Sequence, residues 1–291
     1  MMKKRTFFMA IFMAGILFFS CDKGVDNEMP PGENPSVITP TNEVLRNFEI
    51  IFPDIEDVLW SINTTYYVAD FVKNKKSISA WFKIRGDWVL TKSDLNKEEL
   101  NQFIRNTFSN SKYSRWQVNK VSLLEREGFS DLFIINTNKN NRYASIYYAT
   151  NGTQVRINNG ANYTDTPIEV PSDVMRAINH YFQDPDILDL WGDITQTIKV
   201  AVLENDQFKL LILDEEFDFL YMITSIEAED VPEVIMKKFK ASRYGKYVVN
   251  DIREMKNDIG VSYLFYFDDE EENNNVATVS ESTDYIVLLK Y

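Results

Sequence analysis

Few residues in this chain could carry out chemistry. Its 291 residues include one histidine, His180, and one cysteine, Cys21. Catalysis by an activated nucleophile needs a base beside that nucleophile, and structural zinc sites need several cysteine or histidine ligands. His180 falls in a predicted helix next to Tyr181, with no cysteine or paired serine nearby, and is expected to be a surface residue. The sequence therefore predicts no catalytic residue and no enzyme.

Two acidic segments, 268–275 (DDEEENNN) and 213–218 (LDEEFD), are the candidates for a metal site. Carboxylate and amide oxygens suit hard cations such as Ca²⁺, but neither segment has the alternating ligands and central glycine of an EF-hand loop. We expect both to be solvated hairpin loops. Phosphate-binding glycine loops, Gly-x-Ser-x-Gly and His-Glu-x-x-His are absent, so the sequence predicts no metal and no cofactor.

Cys21 has a different predicted role, because it follows a targeting segment. Three basic residues (3–5) precede an apolar run at 7–19, which is too short for a membrane-spanning helix and typical of a signal peptide. The end of this run, residues 17–21 (LFFSC), resembles a bacterial lipoprotein processing site. The resemblance implies cleavage before Cys21 and lipidation of its thiol; the alternative is that Cys21 belongs to the signal peptide and is removed.

Residues 21–42 are polar, contain four prolines and are predicted to be a flexible linker behind the lipid anchor. Loss of residues 1–20, which hold three basic residues and no acid, changes the net charge from −13 to −16. Such a charge disfavours nucleic-acid binding. The expected location is the bacterial envelope, on the outer membrane; the segment 21–28 (CDKGVDNE) loosely resembles a surface-export signal, and both the periplasmic face and the cell surface stay open.

The remainder of the chain is a duplication. With an offset of 131 residues, the segment 104–119 matches 235–250 at six positions without a gap. A weaker repeat inside each copy relates Gly86 to Gly152 and predicts four modules. The predicted domains are 43–157 and 171–291, joined by a turn-rich linker at 158–170.

Each module is predicted to begin with a helix and to continue in short strands. In the second module, Asn96 and Glu99 have the spacing of a capping box. Residues 78–84 alternate between apolar and other side chains, as in a half-buried strand, and turn residues separate several similar segments. The fold class is therefore α+β: four modules, each with a helix covering one face of a four-stranded antiparallel sheet.

Three segments resemble a known family: 48–60 (FEIIFPDIEDVLW), 80–88 (AWFKIRGDW) and 111–121 (SKYSRWQVNKV). Together they are similar to the PepSY-like, β-lactamase-inhibitor-like lipoproteins of Bacteroidetes. The resemblance covers most of 43–157 and, more weakly, 171–291, where Phe217-Asp218-Phe219 replaces the Gly-Trp pair. It implies tandem β-lactamase-inhibitory-protein-like domains, secretion, and binding without catalysis.

Trp81 and Tyr147 are the predicted partner-binding residues, because they alternate with the apolar residues expected to face the helices. Large aromatic side chains on an open sheet face make good binding anchors, and the alternative is packing against a neighbouring module or domain. The predicted function is binding of an envelope protein or peptide, in an inhibitor-like or accessory role. A small-ligand or peptide sensor that binds in the cleft between the domains is the alternative, followed by a hydrolase whose carboxylates cannot be singled out.

Overall fold

The computed structural model describes residues 38–160, 165–192, 196–268, 274–282 and 287–290, and the chain from residue 38 onward forms one compact unit. Cys21, the signal segment and most of the predicted linker before residue 42 lie outside the described residues. Within the described part, no helix is long and apolar enough to cross a membrane.

The first half contains two helices and one eight-stranded antiparallel sheet, in which each strand pairs with the next along the chain. Its elements are α1 (Asn42–Ile51), β1 (Val58–Asn63), β2 (Tyr66–Lys73), β3 (Lys76–Lys83), β4 (Trp88–Leu95), α2 (Gln102–Asn110), β5 (Gln117–Arg126), β6 (Phe129–Lys139), β7 (Arg142–Ala149) and β8 (Gln154–Asn158).

The second half repeats this order and forms a second eight-stranded antiparallel sheet. Its elements are α3 (Ser172–Tyr181), β9 (Asp186–Gly192), β10 (Ile198–Glu204), β11 (Gln207–Leu213), β12 (Phe219–Ser225), α4 (Glu233–Ala241), β13 (Val249–Asn257), β14 (Gly260–Asp268), β15 (Asn274–Ser280) and β16 (Val287–Lys290). The predicted α+β fold, with two tandem copies of paired helix-plus-four-strand modules, is confirmed.

The helices cover the outer faces of the sheets, and the inner faces pack against each other. Alternate residues of a strand point to opposite faces. In β7, Ile146 and Tyr148 pack under α2, whereas Tyr147 joins a core cluster that contains residues of both sheets. In β11, Leu211 faces α3 and Leu210 faces the first sheet. The order of layers is therefore helices, sheet, sheet, helices.

The hairpin turn of each first-half module packs against the start of its own helix. Gly86 has φ 95°, and a Cβ there would lie 2.9 Å from the backbone of Glu43 in α1. Gly152 has φ 87°, and its Cβ would lie 2.9 Å from the backbone of Phe103 in α2. Only glycine adopts such angles without strain and allows this approach. The finer repeat that relates Gly86 to Gly152 is thus visible in the structure.

Asn96 and Glu99 form the predicted capping box, but on a short 3₁₀ turn, Lys97–Glu99, rather than at the start of α2. The helix itself begins at Gln102, after Asn101, whose side-chain oxygen accepts a hydrogen bond from the Ile104 N–H over 3.0 Å. A second cap, five residues further along the chain, therefore displaces the predicted start of the helix.

Candidate binding site between the two halves

Trp81 and Tyr147 do not lie on an open face. Their side chains are only 6% and 1% exposed, and both belong to the core cluster shared by the two sheets. Their predicted exposure is wrong, because the second sheet covers the inner face of the first. The packing alternative named above describes their environment.

A buried ion pair joins the two sheets at this contact. Arg126, the last residue of β5, donates to Asp189 of β9 over 2.7 Å and to the carbonyl of Leu188 over 2.7 Å. Both side chains of the pair are almost fully buried. Asp189 also accepts a hydrogen bond from Nε of Arg156 in β8. One carboxylate of the second half therefore holds two guanidinium groups of the first.

Asp165 extends this network from the segment between the halves. Its carboxylate accepts hydrogen bonds from the Tyr147 hydroxyl over 2.7 Å and from Lys92 over 2.5 Å, and Arg156 lies 3.8 Å away. The Arg156 guanidinium stacks 3.9 Å above the Tyr147 ring. Asp165 falls in the predicted linker 158–170, and nothing in its sequence context indicated this role.

A β-bulge brings Asp189 to the inner face. The pairing of β9 with β10 shifts register between Ala201 and Val202, which oppose Asp189 and Ile187, so Leu188 is the extra residue. A bulge reverses the face on which the following side chains lie. Ile187 accordingly faces α3, whereas Leu188 lies in the cluster between the sheets.

Beside this contact, an open groove of about 1340 Å³ lies between the first half and the second sheet. One wall is formed by residues 110–113, at the end of α2, and by residues 151–154 around the β7–β8 turn. The other is formed by residues 204–209, 225–228, 230, 249–253 and 266–268 of the second half. Small-molecule pockets usually measure about 300–1,000 Å³. This groove is therefore large enough for a segment of polypeptide.

The groove is acidic. Its described lining carries six acidic and three basic residues: Glu204, Asp206, Glu227, Asp230, Asp251 and Asp268, against Lys112, Lys209 and Arg253. Lys209 pairs with Glu204, and Arg253 pairs with Asp251, each over 2.6 Å. The lining therefore keeps an excess of negative charge that favours a cationic ligand.

Aromatic rings lie beside two of the three basic residues of the groove, Lys112 and Arg253. The guanidinium of Arg253 lies 4.9 Å from the Tyr266 ring centroid and 5.8 Å from that of Phe208. On the opposite wall, Lys112 lies 5.0 Å from the Tyr113 ring centroid. Partial loss of hydration lowers the pKa of Lys112, while the negative charge of Asp268 opposes this shift. Both walls thus present a cation held over a ring.

Among the other residues singled out in the sequence, His180 and segment 213–218 lie away from the groove, whereas segment 268–275 contributes Asp268 and Asn275 to its lining. His180 is exposed at the end of α3, with its ring centroid 4.7 Å from that of Tyr181. Segment 213–218 forms the β11–β12 turn, where the Asp214 carboxylate accepts backbone hydrogen bonds from Glu216 and Asp218. Residues 269–273 of the other acidic segment, and Cys21, are not described.

Metal ligands do not cluster in the part of the chain that the structure describes: no group of three or more His, Cys, Asp or Glu side chains is placed to hold an ion. Of the groove residues, only Asp268 and Asn275 belong to a candidate site singled out in the sequence, and that segment was considered as a metal candidate. The lining comes from turns and strands as far apart as Lys112 and Asp268, and no local pattern relates such positions.

Comparison with known proteins places the chain in a family. The β-lactamase-inhibitor-like, PepSY-like family matches residues 65–156 and 220–274, just over half of the chain and one segment in each half. The chain belongs to this family. No curated protein matches it.

Among solved structures, the chain is similar to a DUF2874 family protein from Bacteroides ovatus, with 28% identity over 42% of this chain and 89% of that one, at a TM-score of 0.41. It is also similar to a BLIP-like protein from Bacteroides fragilis, with 21% identity over 45% of this chain and 96% of that one, at a TM-score of 0.43. A candidate periplasmic protein from Bacteroides eggerthii matches with 25% identity over 42% of this chain and 89% of that one, at a TM-score of 0.40.

Proposed function

We propose that this protein is a non-enzymatic binding protein of the bacterial envelope, and that it holds a basic polypeptide segment of a partner in the groove between its two halves. The observation that carries this proposal is the groove itself, which combines a volume of about 1340 Å³ with more acidic than basic lining residues. Membership of a family described as β-lactamase-inhibitor-like supports binding rather than catalysis.

The groove replaces the sheet face as the proposed binding surface. Trp81 and Tyr147 are buried between the sheets, whereas Glu227 and Asp230 on the groove wall are exposed. Opposite charges across an interface speed association and make it sensitive to salt. A partner segment rich in lysine or arginine is therefore expected to bind faster at low than at high ionic strength.

The test compares three forms of the chain from Asp22 to Tyr291, immobilised and exposed to detergent-solubilised envelope extract. The first is the unaltered sequence. The second carries Glu227→Lys and Asp230→Lys on the groove wall. The third carries Glu49→Lys and Glu56→Lys, an equal change of charge at exposed positions that do not line the groove.

A protein retained by the first and third forms, but lost from the groove variant, is the expected result. Retention of the same proteins by all three forms, or retention of none, would refute the groove as the binding surface. A retained partner is then mapped by cross-linking, and its cross-linked segment is expected to carry a net positive charge.

The proposal includes lipid anchoring through Cys21, which rests on the processing-site resemblance at residues 17–21. Several acyl chains on one N-terminus give stable membrane attachment, whereas a single chain does not. Metabolic labelling with a radioactive fatty acid is expected to mark the unaltered protein and not Cys21→Ser. Equal labelling of both, or labelling of neither, would exclude this anchor.

A further inference from the structure

A second cavity, separate from the groove, lies beneath α2 in the first half. It measures about 270 Å³ and lies between the helix and the outer face of the first sheet. Its walls include the buried side chains of Leu100, Phe108, Val121 and Ile135. Apolar cavities of about 150 Å³ already bind small apolar molecules in their interior. The walls therefore suit an aliphatic group.

The duplication shows what makes room for this cavity. In β5 and β6, Val121 pairs with Ile135; in the second half, Ile252 pairs with Phe265 at the equivalent position. The Phe265 ring stacks on Phe239 of α4 with centroids 4.2 Å apart and planes within 7°. Ile135 has no ring to fill the same space under α2.

The segment that follows the helix also differs between the two halves. Gly245, in the second half, approaches α4 so closely that a Cβ would lie 2.3 Å from the carbonyl oxygen of Lys240. The equivalent residues of the first half are Ser114 and Ser109, and both line the cavity. Because Ser114 carries a Cβ, the first half cannot repeat the close approach that Gly245 makes to Lys240, and this difference leaves room at the position where the cavity lies.

Two cations lie at this cavity. Lys97 and Arg105 are exposed residues of its lining, and their counterparts at an offset of 131 residues are Ala228 and Met236. Backbone carbonyls hold the Arg105 side chain, since its Nη1 donates to Leu100 and, over 3.2 Å, to Glu98. Both of these hydrogen bonds use Nη1, and a guanidinium has five N–H donors. Donors therefore remain for an anionic group.

We propose that this cavity binds a medium-chain aliphatic carboxylate, with its hydrocarbon chain among the apolar residues under α2 and its carboxylate at Arg105 and Lys97. An apolar wall with cations at its edge matches an amphiphile of opposite charge. At the equivalent positions of the second half, Phe265 replaces Ile135, and Ala228 and Met236 replace the two cations. This site is independent of the groove between the halves, so failure of one proposal leaves the other standing.

The test uses octanoate and its uncharged analogue 1-octanol as probes, with calorimetric titration of the chain from Asp22 to Tyr291. We expect one site for octanoate. Arg105→Met installs the residue found in the second half, and it is expected to weaken octanoate binding about tenfold while changing 1-octanol binding less than about threefold, because only the carboxylate loses a charged hydrogen bond. Arg115→Met, at an exposed position outside the cavity, is the matched control and is expected to change neither.

Ile135→Phe tests whether binding requires the cavity volume. The second half has a phenylalanine, Phe265, at the equivalent position. The substitution is expected to weaken both probes at least about tenfold by filling the cavity. Arg105→Met alters only an exposed side chain, so it remains informative if Ile135→Phe does not fold. Absence of saturable octanoate binding, or octanoate binding that Arg105→Met leaves unchanged, would overturn the proposal.

Discussion

Arg126 of the first sheet and Asp189 of the second form an ion pair across 2.7 Å, with side chains only 2% and 0% exposed. Removing two charges from water costs several kcal/mol each, and this cost is offset only where the groups are well paired. Here Asp189 also accepts from Arg156, and Arg126 also donates to a backbone carbonyl. The network thus fixes one arrangement of the two sheets over others that would leave these charges unpaired.

The first prediction is that Asp189→Ala lowers the free energy of unfolding by about 3–5 kcal/mol, because two guanidinium groups would lose their buried acceptor. Urea unfolding measures this loss. The control is Asp173→Ala in α3, whose ion pair with Arg176 is exposed, and which is expected to cost less than about 1 kcal/mol. Equal losses in the two variants would contradict a structural role for the buried pair.

The second prediction concerns the hydrogen bond that the Tyr147 hydroxyl donates to the Asp165 carboxylate over 2.7 Å in a buried site. Tyr147→Phe keeps the ring and leaves one carboxylate oxygen without this donor, so the free energy of unfolding is expected to fall by about 1–3 kcal/mol. Tyr143→Phe on the same strand, where the residue is 40% exposed, is expected to change the free energy of unfolding by less than about 0.5 kcal/mol. Thermal and urea unfolding of both variants test the difference.

The third prediction separates backbone strain from close contact at two glycines. Gly128 and Gly152 have similar φ values, 77° and 87°, but a Cβ meets nothing within 4 Å at Gly128 and the Phe103 backbone at 2.9 Å at Gly152. Alanine at Gly128 is expected to cost about 1–2 kcal/mol through its backbone angle alone. Alanine at Gly152 is expected to cost at least about 1 kcal/mol more, because α2 must also move. Similar losses at both sites would show that the helix does not rest on the turn.

The repeated modules could be predicted from the sequence because each module carries its own helix pattern, strand alternation and turn residues. The burial of the inner sheet face could not be deduced from Trp81. The alternating pattern of this strand is the same whether its second face contacts water or another sheet. A signal was present elsewhere: residues 132–135 (LFII) are apolar without alternation, as expected when both faces of a strand are buried. Leu132 and Ile135 indeed pack on opposite faces of β6.

Trp60 and Trp191 occupy different structural positions, although the repeat predicts that they are equivalent. They are equivalent at an offset of 131 residues, yet Trp60 packs on the helix side of its sheet and Trp191 on the inner side of the other. The bulge at Leu188 shifts the register of β9, and a shift of one residue moves a side chain to the opposite face. No residue type in this strand indicates the bulge, so the position of Asp189 on the inner face could not be predicted from the sequence either.

The last prediction is a pH dependence with opposite signs at two glutamates. Burial, followed by the charge of Asp131, raises the pKa of Glu125 above its ordinary value of 4.5. The folded state then holds its proton more tightly than the unfolded state, so Glu125 lowers stability as pH rises from about 4.5 through the folded pKa. Glu125→Gln, which mimics the protonated form, is expected to match the unaltered protein at pH 4 and to exceed its free energy of unfolding at pH 7.

Glu99 provides the contrast, because hydrogen bonds from Lys76 and the Asn96 backbone lower its pKa. Its ionised form therefore favours folding above about pH 4.5, and this contribution disappears as pH falls through the folded pKa. Glu99→Gln is expected to be less stable than the unaltered protein at pH 7, with the difference shrinking toward acid pH. Urea unfolding at several pH values tests the predictions for Glu125→Gln and Glu99→Gln. If both substitutions change the free energy of unfolding in the same direction at pH 7, the environments that the structure gives these carboxyl groups are contradicted.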